Sequence, residues 1–148
     1  MTDSVPLDDL YQEIILDHFK NPRNVQKLSD EEVLIEEENP TCGDQIRVTA
    51  KVEEGCIVGI KYEAKGCAIS TASASMMSEA LMNKPVEDAR VAIQNFTRTM
   101  KGEQEMSEDE SGDLIALQGV KRYPLRIKCA TMSWHALDHV LDKMSVEK

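Results

Sequence analysis

No apolar run in this 148-residue chain approaches the length that crosses a bilayer. The opening Met-Thr-Asp-Ser-Val-Pro has neither the basic start nor the apolar stretch of a secretory signal, so the expected compartment is the cytoplasm. Positive charge is scarce as well: 17 Lys and Arg face 27 Asp and Glu, giving a formal charge of −10 and a pI near 4.8. That balance argues against nucleic acid and membrane surfaces as partners, since both need a basic patch to displace counterions or meet anionic headgroups. A partner with a basic docking face is the natural inference. Internal repeats and interdomain linkers are also missing. With 41% hydrophobic residues, residues 1–148 are expected to form one domain with a substantial core.

The chain also lacks any C-x-x-C pair, the usual zinc-finger signal. Four cysteines in a reducing compartment are better read as thiols with chemical or metal-binding duties than as a disulfide framework. Cys42, Cys67 and Cys129 have 24 and 61 residues between them, so any site they share must be assembled by the tertiary fold. The serines of Ser70-Thr71-Ala72-Ser73-Ala74-Ser75 are not arranged as a nucleophile with a base, and no hydrolase is read from them. Their small side chains suit close packing of another backbone.

Periodicity sets out the elements. Leu10, Ile14, Ile15 and Phe19 fall at helical spacing over Asp8 to Lys20, with Asp3 or Ser4 as the expected cap and Asn21-Pro22 as the stop. His18 lies beside that stripe as a half-buried helix residue. Val33-Leu34-Ile35, within Asp30 to Asn39, reads as an edge strand whose acidic flanks discourage further pairing. Ile46, Val48, Ala50 and Val52 alternate with polar residues in a half-buried antiparallel strand. A Glu54-Gly55 turn then returns the chain, with Cys56, Val58, Ile60, Tyr62 and Ala64 on one face, so Cys56 is read as packing.

From Ile69 the period becomes helical, with Ala72, Met76, Met77, Ala80 and Leu81, until Asn83-Lys84-Pro85. Val86 to Met100 is a second amphipathic helix, with Val91, Phe96 and Met100 apolar, and Gly102 breaks it. Glu103 to Asp113 carries six carboxylates and no basic residue, an exposed loop or docking surface. A short helical piece from Asp113 to Leu117 closes at Gly119. Tyr123-Pro124 opens the last helix, with Leu125, Cys129, Met132, Ala136 and Val140 on one face.

The chemistry concentrates at element ends. Asn39-Pro40-Thr41-Cys42-Gly43-Asp44 places a thiol and a carboxylate on one tight loop, where Gly43 permits a crowded backbone. Cys67 follows Gly66 where a strand gives way to a helix, and Cys129 lies early in the last helix. If the fold converges them, Cys42, Asp44, Cys67 and Cys129 supply the four ligands of a tetrahedral Zn²⁺ site. Three thiolates and a carboxylate around a divalent ion leave a net charge near minus two. Arg126, one helical turn before Cys129, is placed to offset it, whereas Lys128 points aside. Helix N-termini should favour thiolate at Cys67 and Cys129. His135 and His139 turn away from the Cys129 face.

Asn39 to Asp44, Gly66 to Met77 and Tyr123 to Ala130 with Trp134 resemble the U-type (IscU/NifU N-terminal-like) iron–sulfur cluster assembly family. Leu10 to Asn24 matches its opening segment. A His before the third Cys and a Leu-Pro-Pro-Val-Lys motif mark IscU-type scaffolds. Here Lys128 and Tyr123-Pro124-Leu125-Arg126-Ile127 stand instead, and an extra segment, part of Val86 to Gly119, matches the SufU-type branch. The resemblance implies an α+β fold, a small antiparallel three-stranded sheet packed against several helices with a metal site at one end. It further implies zinc on Cys42, Asp44, Cys67 and Cys129, and sulfur acceptance from a SufS-type cysteine desulfurase for delivery to other Suf assembly proteins. Cys42 is the expected acceptor, on the more mobile loop, with Arg126 steadying the extra negative charge. Two alternatives stay open: a scaffold holding iron or a [2Fe–2S] cluster on Cys42, Cys67 and Cys129, and a structural zinc protein.

Overall fold

The computed structural model describes residues 5–39, 43–104 and 112–146. Helix α1 (Val5–Lys20) leads to strands β1 (Ile35–Asn39), β2 (Asp44–Glu53) and β3 (Cys56–Lys65), then to helices α2 (Ala68–Leu81) and α3 (Val86–Met100). A run of 3₁₀ turns, Gly112–Arg122, precedes the long helix α4 (Pro124–Val146). The strands form one antiparallel sheet in the order β1-β2-β3. Helix α4 packs across β1 and β2, α2 lies against β3 and α4, α1 covers α2, and α3 leans on α4. This is the expected α+β arrangement.

The sheet departs from simple alternation at two places. Within the expected Asp30 to Asn39 stretch the edge strand is Ile35–Asn39, beginning at the last of the three apolar residues, because pairing with Val48 to Asp44 carries the ladder through three consecutive glutamates. Each finds a partner: Glu36 near Arg47, Glu38 on Gln45 at 2.5 Å, and Glu37 on His139 of α4. In β3 a bulge opposite Lys51 and Val52 inserts Val58, so Val52 faces Ile57 while Lys51 faces Gly59. Beyond the bulge the faces exchange: Ile57 is fully buried, Val58 is 40% exposed, and Cys56 sits half-buried off the core face. The reading of Cys56 and Val58 as core-facing is thereby corrected.

The helices show similar local departures. Val86–Met100 has the expected bounds, yet Val91 is exposed and the core face is Ala89, Ile93, Phe96 and Met100. The 3₁₀ turns run past Gly119 to Arg122, replacing the short helix expected at Asp113 to Leu117. In α1, Phe19 is exposed and the inward residue is His18, fully buried, not half-buried, with Nδ1 2.7 Å from Ser75 Oγ. The expected caps Asp3 and Ser4, and most of the acidic Glu103 to Asp113 stretch, lie outside the described residues. No helix among those described is long and apolar enough to cross a membrane.

The small residues of α2 are the seam that lets α4 and the α1 turn come close. Ser75 Oγ accepts the Arg23 N–H at 2.9 Å, and Ser78 Oγ bonds the Asn24 side chain at 2.9 Å, pinning the chain after α1. On the other side Ser73 Oγ donates to the Ala130 carbonyl at 2.5 Å and accepts from Trp134 Nε1 at 3.0 Å. Trp134 in turn stacks on Phe96 of α3, with ring centroids 4.1 Å apart. Ser73→Ala leaves the buried indole N–H and the Ala130 carbonyl without their partner, so it should cost about 1–3 kcal/mol in chemical denaturation. An unchanged midpoint would show that this seam adds nothing to stability.

Candidate metal centre

The β2–β3 register brings together residues far apart in sequence. Gln45 pairs with Lys65, so Asp44 at the start of β2 stands beside Gly66 and Cys67 at the end of β3. Asp44 shares the inward parity of Ile46 and Val48 and is 0% exposed. Its Oδ1 accepts the Cys67 N–H at 2.9 Å, and its Oδ2 lies 3.9 Å from Cys67 Sγ. Gly66 is required twice here. Its φ is +146°, and a Cβ would stand 2.0 Å from Asp44 Oδ1.

Cys67 is the N-cap of α2, its Sγ accepting the Ser70 N–H at 3.5 Å, while Ser70 Oγ donates to the Cys67 carbonyl at 3.1 Å. The thiol therefore sits where the helix leaves N–H groups unpaired and favours negative charge. Cys129 comes from the opposite direction. It lies in the first turns of α4, is fully buried, and has the Asn39 side-chain amide 3.9 Å from its sulfur. Arg126, one turn earlier and exposed at its tip, hydrogen-bonds toward Cys129 and also lies in the field of Cys67; both raise its already high pKa.

Among the described residues, Asp44, Cys67 and Cys129 form a trio whose ligand atoms all lie within 4.8 Å of one another. Zinc–ligand bonds of about 2.0–2.3 Å put tetrahedral neighbours roughly 3.3–3.8 Å apart, so a modest contraction of the trio would close it on a metal. A fully buried carboxylate beside two thiols is costly when left without a cation, and a divalent ion would offset that cost. The donor set fits zinc. Cys42, the expected fourth ligand, lies outside the described residues with Pro40 and Thr41. The ends of that loop are joined by the Gly43 N–H donating to the Asn39 carbonyl at 2.8 Å, with Gly43 at φ +76°.

The histidines stand elsewhere, as expected. His135 Nε2 is 3.3 Å from Thr97 Oγ1, with burial lowering its pKa, and His139 pairs with Glu37. Sequence reasoning did not single out Asn39 as a neighbour of Cys129 or Ser70 as a partner of Cys67. A serine three residues after a helix-opening cysteine is a readable signal for the second. Nothing local announces the first.

A family model described as the NifU-like N terminal domain matches residues 10–130. The zinc-dependent sulfurtransferase SufU of Bacillus subtilis (strain 168) is 45% identical over 138 residues, 93% of each chain. The iron–sulfur cluster assembly scaffold protein IscU of Streptococcus pyogenes serotype M1 is 37% identical, over 93% of this chain and 86% of that one. Among solved structures, one from Fervidobacterium islandicum AW-1, a candidate iron–sulfur cluster assembly scaffold for the SUF system, superposes with a TM-score of 0.76. It is 32% identical over 85% of this chain and 92% of that one. An N-terminal NifU-like protein from Brucella abortus, 21% identical with a TM-score of 0.84, shares the fold over 96% of this chain and 99% of its own. With Asp44, Cys67 and Cys129 gathered at one end of a three-stranded sheet, the chain belongs to the NifU-like N-terminal domain family of iron–sulfur cluster assembly proteins.

Proposed function

We propose that this protein is a zinc-dependent sulfur acceptor that takes persulfide sulfur from a SufS-type cysteine desulfurase in the cytoplasm and passes it to iron–sulfur cluster assembly. The observation that carries this reading is the convergence of Asp44, Cys67 and Cys129 at the mouth of the loop bearing Cys42. The 45% identity to a zinc-dependent sulfurtransferase supports it. Cys42, Asp44, Cys67 and Cys129 would hold the zinc, and the bound ion keeps its ligand thiols deprotonated at neutral pH. Cys42 is the acceptor. Its thiolate attacks the outer sulfur of the donor's cysteine persulfide, so a new S–S bond forms on Cys42. The donor's S–S bond breaks, and the donor cysteine leaves as thiolate. Arg126 balances the added negative charge from beside Cys129.

A scaffold that builds a [2Fe–2S] cluster on the same thiolates is the second reading, favoured by the 37% identity to an IscU scaffold. Metal analysis of protein purified without air separates the two: zinc supports the acceptor, iron with sulfide the scaffold.

Three measurements test the site. Chelation should lower the melting temperature by several degrees and added Zn²⁺ should restore it, since a metal that binds only the folded state stabilises it by mass action. A melting curve indifferent to both would remove the closed metal site. Asp44→Ala, which deletes a ligand, and Gly66→Ala, which drives a Cβ into the Asp44 carboxylate, should each lower zinc affinity at least tenfold in a chelator competition. Wild-type affinity in both would place Asp44 outside the ligand set. Incubation with the desulfurase and cysteine should load sulfane sulfur on Cys42, located by alkylation and peptide mass spectrometry. A Cys42→Ala protein that still stimulates the desulfurase fully would falsify the acceptor assignment.

A further inference from the structure

Asn39 closes β1 on the inward side of the sheet, 6% exposed and directly opposite Asp44 in the register. Asparagine is a poor strand former, and a buried amide is costly unless its polar atoms find partners. The neighbouring strand fills the same face with Ile46 and Val48. An apolar residue would therefore serve the packing better, and the amide is explained by what it bonds. Its Nδ2 lies 3.9 Å from Cys129 Sγ, while the Asn39 main-chain carbonyl accepts the Gly43 N–H at 2.8 Å.

The side-chain contact spans 90 positions of sequence, and it joins two elements that the trio needs together. One is β1, paired to the strand of Asp44, and the other is α4, which carries Cys129. A thiolate offers acceptor sites alone, so the N–H side of the amide, and not its oxygen, suits the sulfur. A hydrogen bond to a charged acceptor is stronger than one between neutral groups. It also draws charge from the sulfur, which leaves the sulfur a weaker nucleophile. Cys67 has a donor as well, the Ser70 N–H at 3.5 Å. Both thiols of the trio thus face N–H groups that favour a ligating sulfur over an attacking one.

Resting on the zinc-dependent acceptor reading, we infer that Asn39 is a positioning residue for Cys129: its amide holds that thiolate in the metal site as a spectator while sulfur is accepted at another thiol. Asn39 and Asp44 stand side by side on adjacent strands, so one ladder pair supplies both a carboxylate to the trio and an N–H to its third member. Partners of this kind behind a ligand set its orientation and donor strength, and their loss typically costs about tenfold or more in metal affinity. Asn39 itself makes and breaks no bond in the transfer. It sets which sulfur stays.

Two variants remove the donor: Asn39→Leu keeps the volume, and Asn39→Ala cannot overpack. The zinc-free full chain would be loaded with Co²⁺ to record its sulfur-to-cobalt charge-transfer band, and Zn²⁺ affinity would be measured by chelator competition. Loss of the N–H raises the energy of the sulfur electrons, so the band should move to longer wavelength in both variants while zinc affinity falls about tenfold. Ser73→Ala, which loosens α4 at Ala130 without removing the amide, should leave the band in place. A wild-type band in either Asn39 variant overturns the assignment even if affinity falls, since packing alone would then account for the loss. An equal shift in Ser73→Ala overturns it too. Should neither Asn39 variant fold, the ¹⁵N-labelled wild-type chain loaded with ¹¹³Cd decides: scalar coupling between an Asn39 side-chain amide proton and cadmium supports the bond, and its absence overturns it. A shifted band in the variants of a protein that takes up no sulfur from the desulfurase leaves Asn39 as the partner of Cys129 and overturns the acceptor reading. A wild-type chain that binds neither Co²⁺ nor Zn²⁺ overturns both.

Discussion

The pairing of Gln45 with Lys65 is the constraint on which the metal centre rests. It sets the parity that turns Asp44 inward with Ile46 and Val48, and it ends β3 where Gly66 can hold its φ of +146° beside the carboxylate. A one-residue slip would send every inward side chain of β2 to solvent, Asp44 among them. The bulge at Val58 lies at the hairpin end of the same ladder, between Lys51 and Val52. Near the site the ladder runs unbroken from Gln45 to Lys51, so the irregularity falls where no member of the trio depends on it.

Cys129, the third member of the trio, is held by a different device. Cys129 sits on α4, which packs on β1 and β2 and against α2. The small residues of α2 let that helix approach, and Ser73 fixes the result by bonding the Ala130 carbonyl one residue past the thiol. Trp134 bonds the same hydroxyl and stacks on Phe96, so α3 bears on the metal centre without touching it. The amphipathic helix inside the extra segment is thus joined to Cys129 by one aromatic contact and two hydrogen bonds.

Much of this was legible in the sequence where local rules decide. The period of two in Asp44–Glu53, the period near four in Val86–Met100, and the Pro124 start of α4 translated directly into elements. The nearness of Asp44, Cys67 and Cys129 was signalled too, because each sits near an element end with Gly or Arg close by. The errors came where a neighbour overrode the local pattern. Three glutamates make a poor strand by propensity, yet β2 pairs with them and Arg47, Gln45 and His139 take up their charge. One inserted residue exchanged the faces of Ile57 and Val58, which no periodicity in β3 alone reveals. His18 looked like a helix-side residue because its partner, Ser75, is 57 positions away.

Asp44 and Cys67 share more than proximity, and this bears on why a carboxylate stands among thiols. The Cys67 N–H donates to Asp44 Oδ1 inside the protein, so the carboxylate keeps a hydrogen-bond partner whether or not it also holds a metal. Oxygen is the hardest donor of the set and the most readily exchanged around zinc. A thiolate in its place would carry the same single negative charge but accept that N–H more weakly. As a ligand, a carboxylate in this place would be the member of the donor set that exchanges most readily while the thiolates hold the ion.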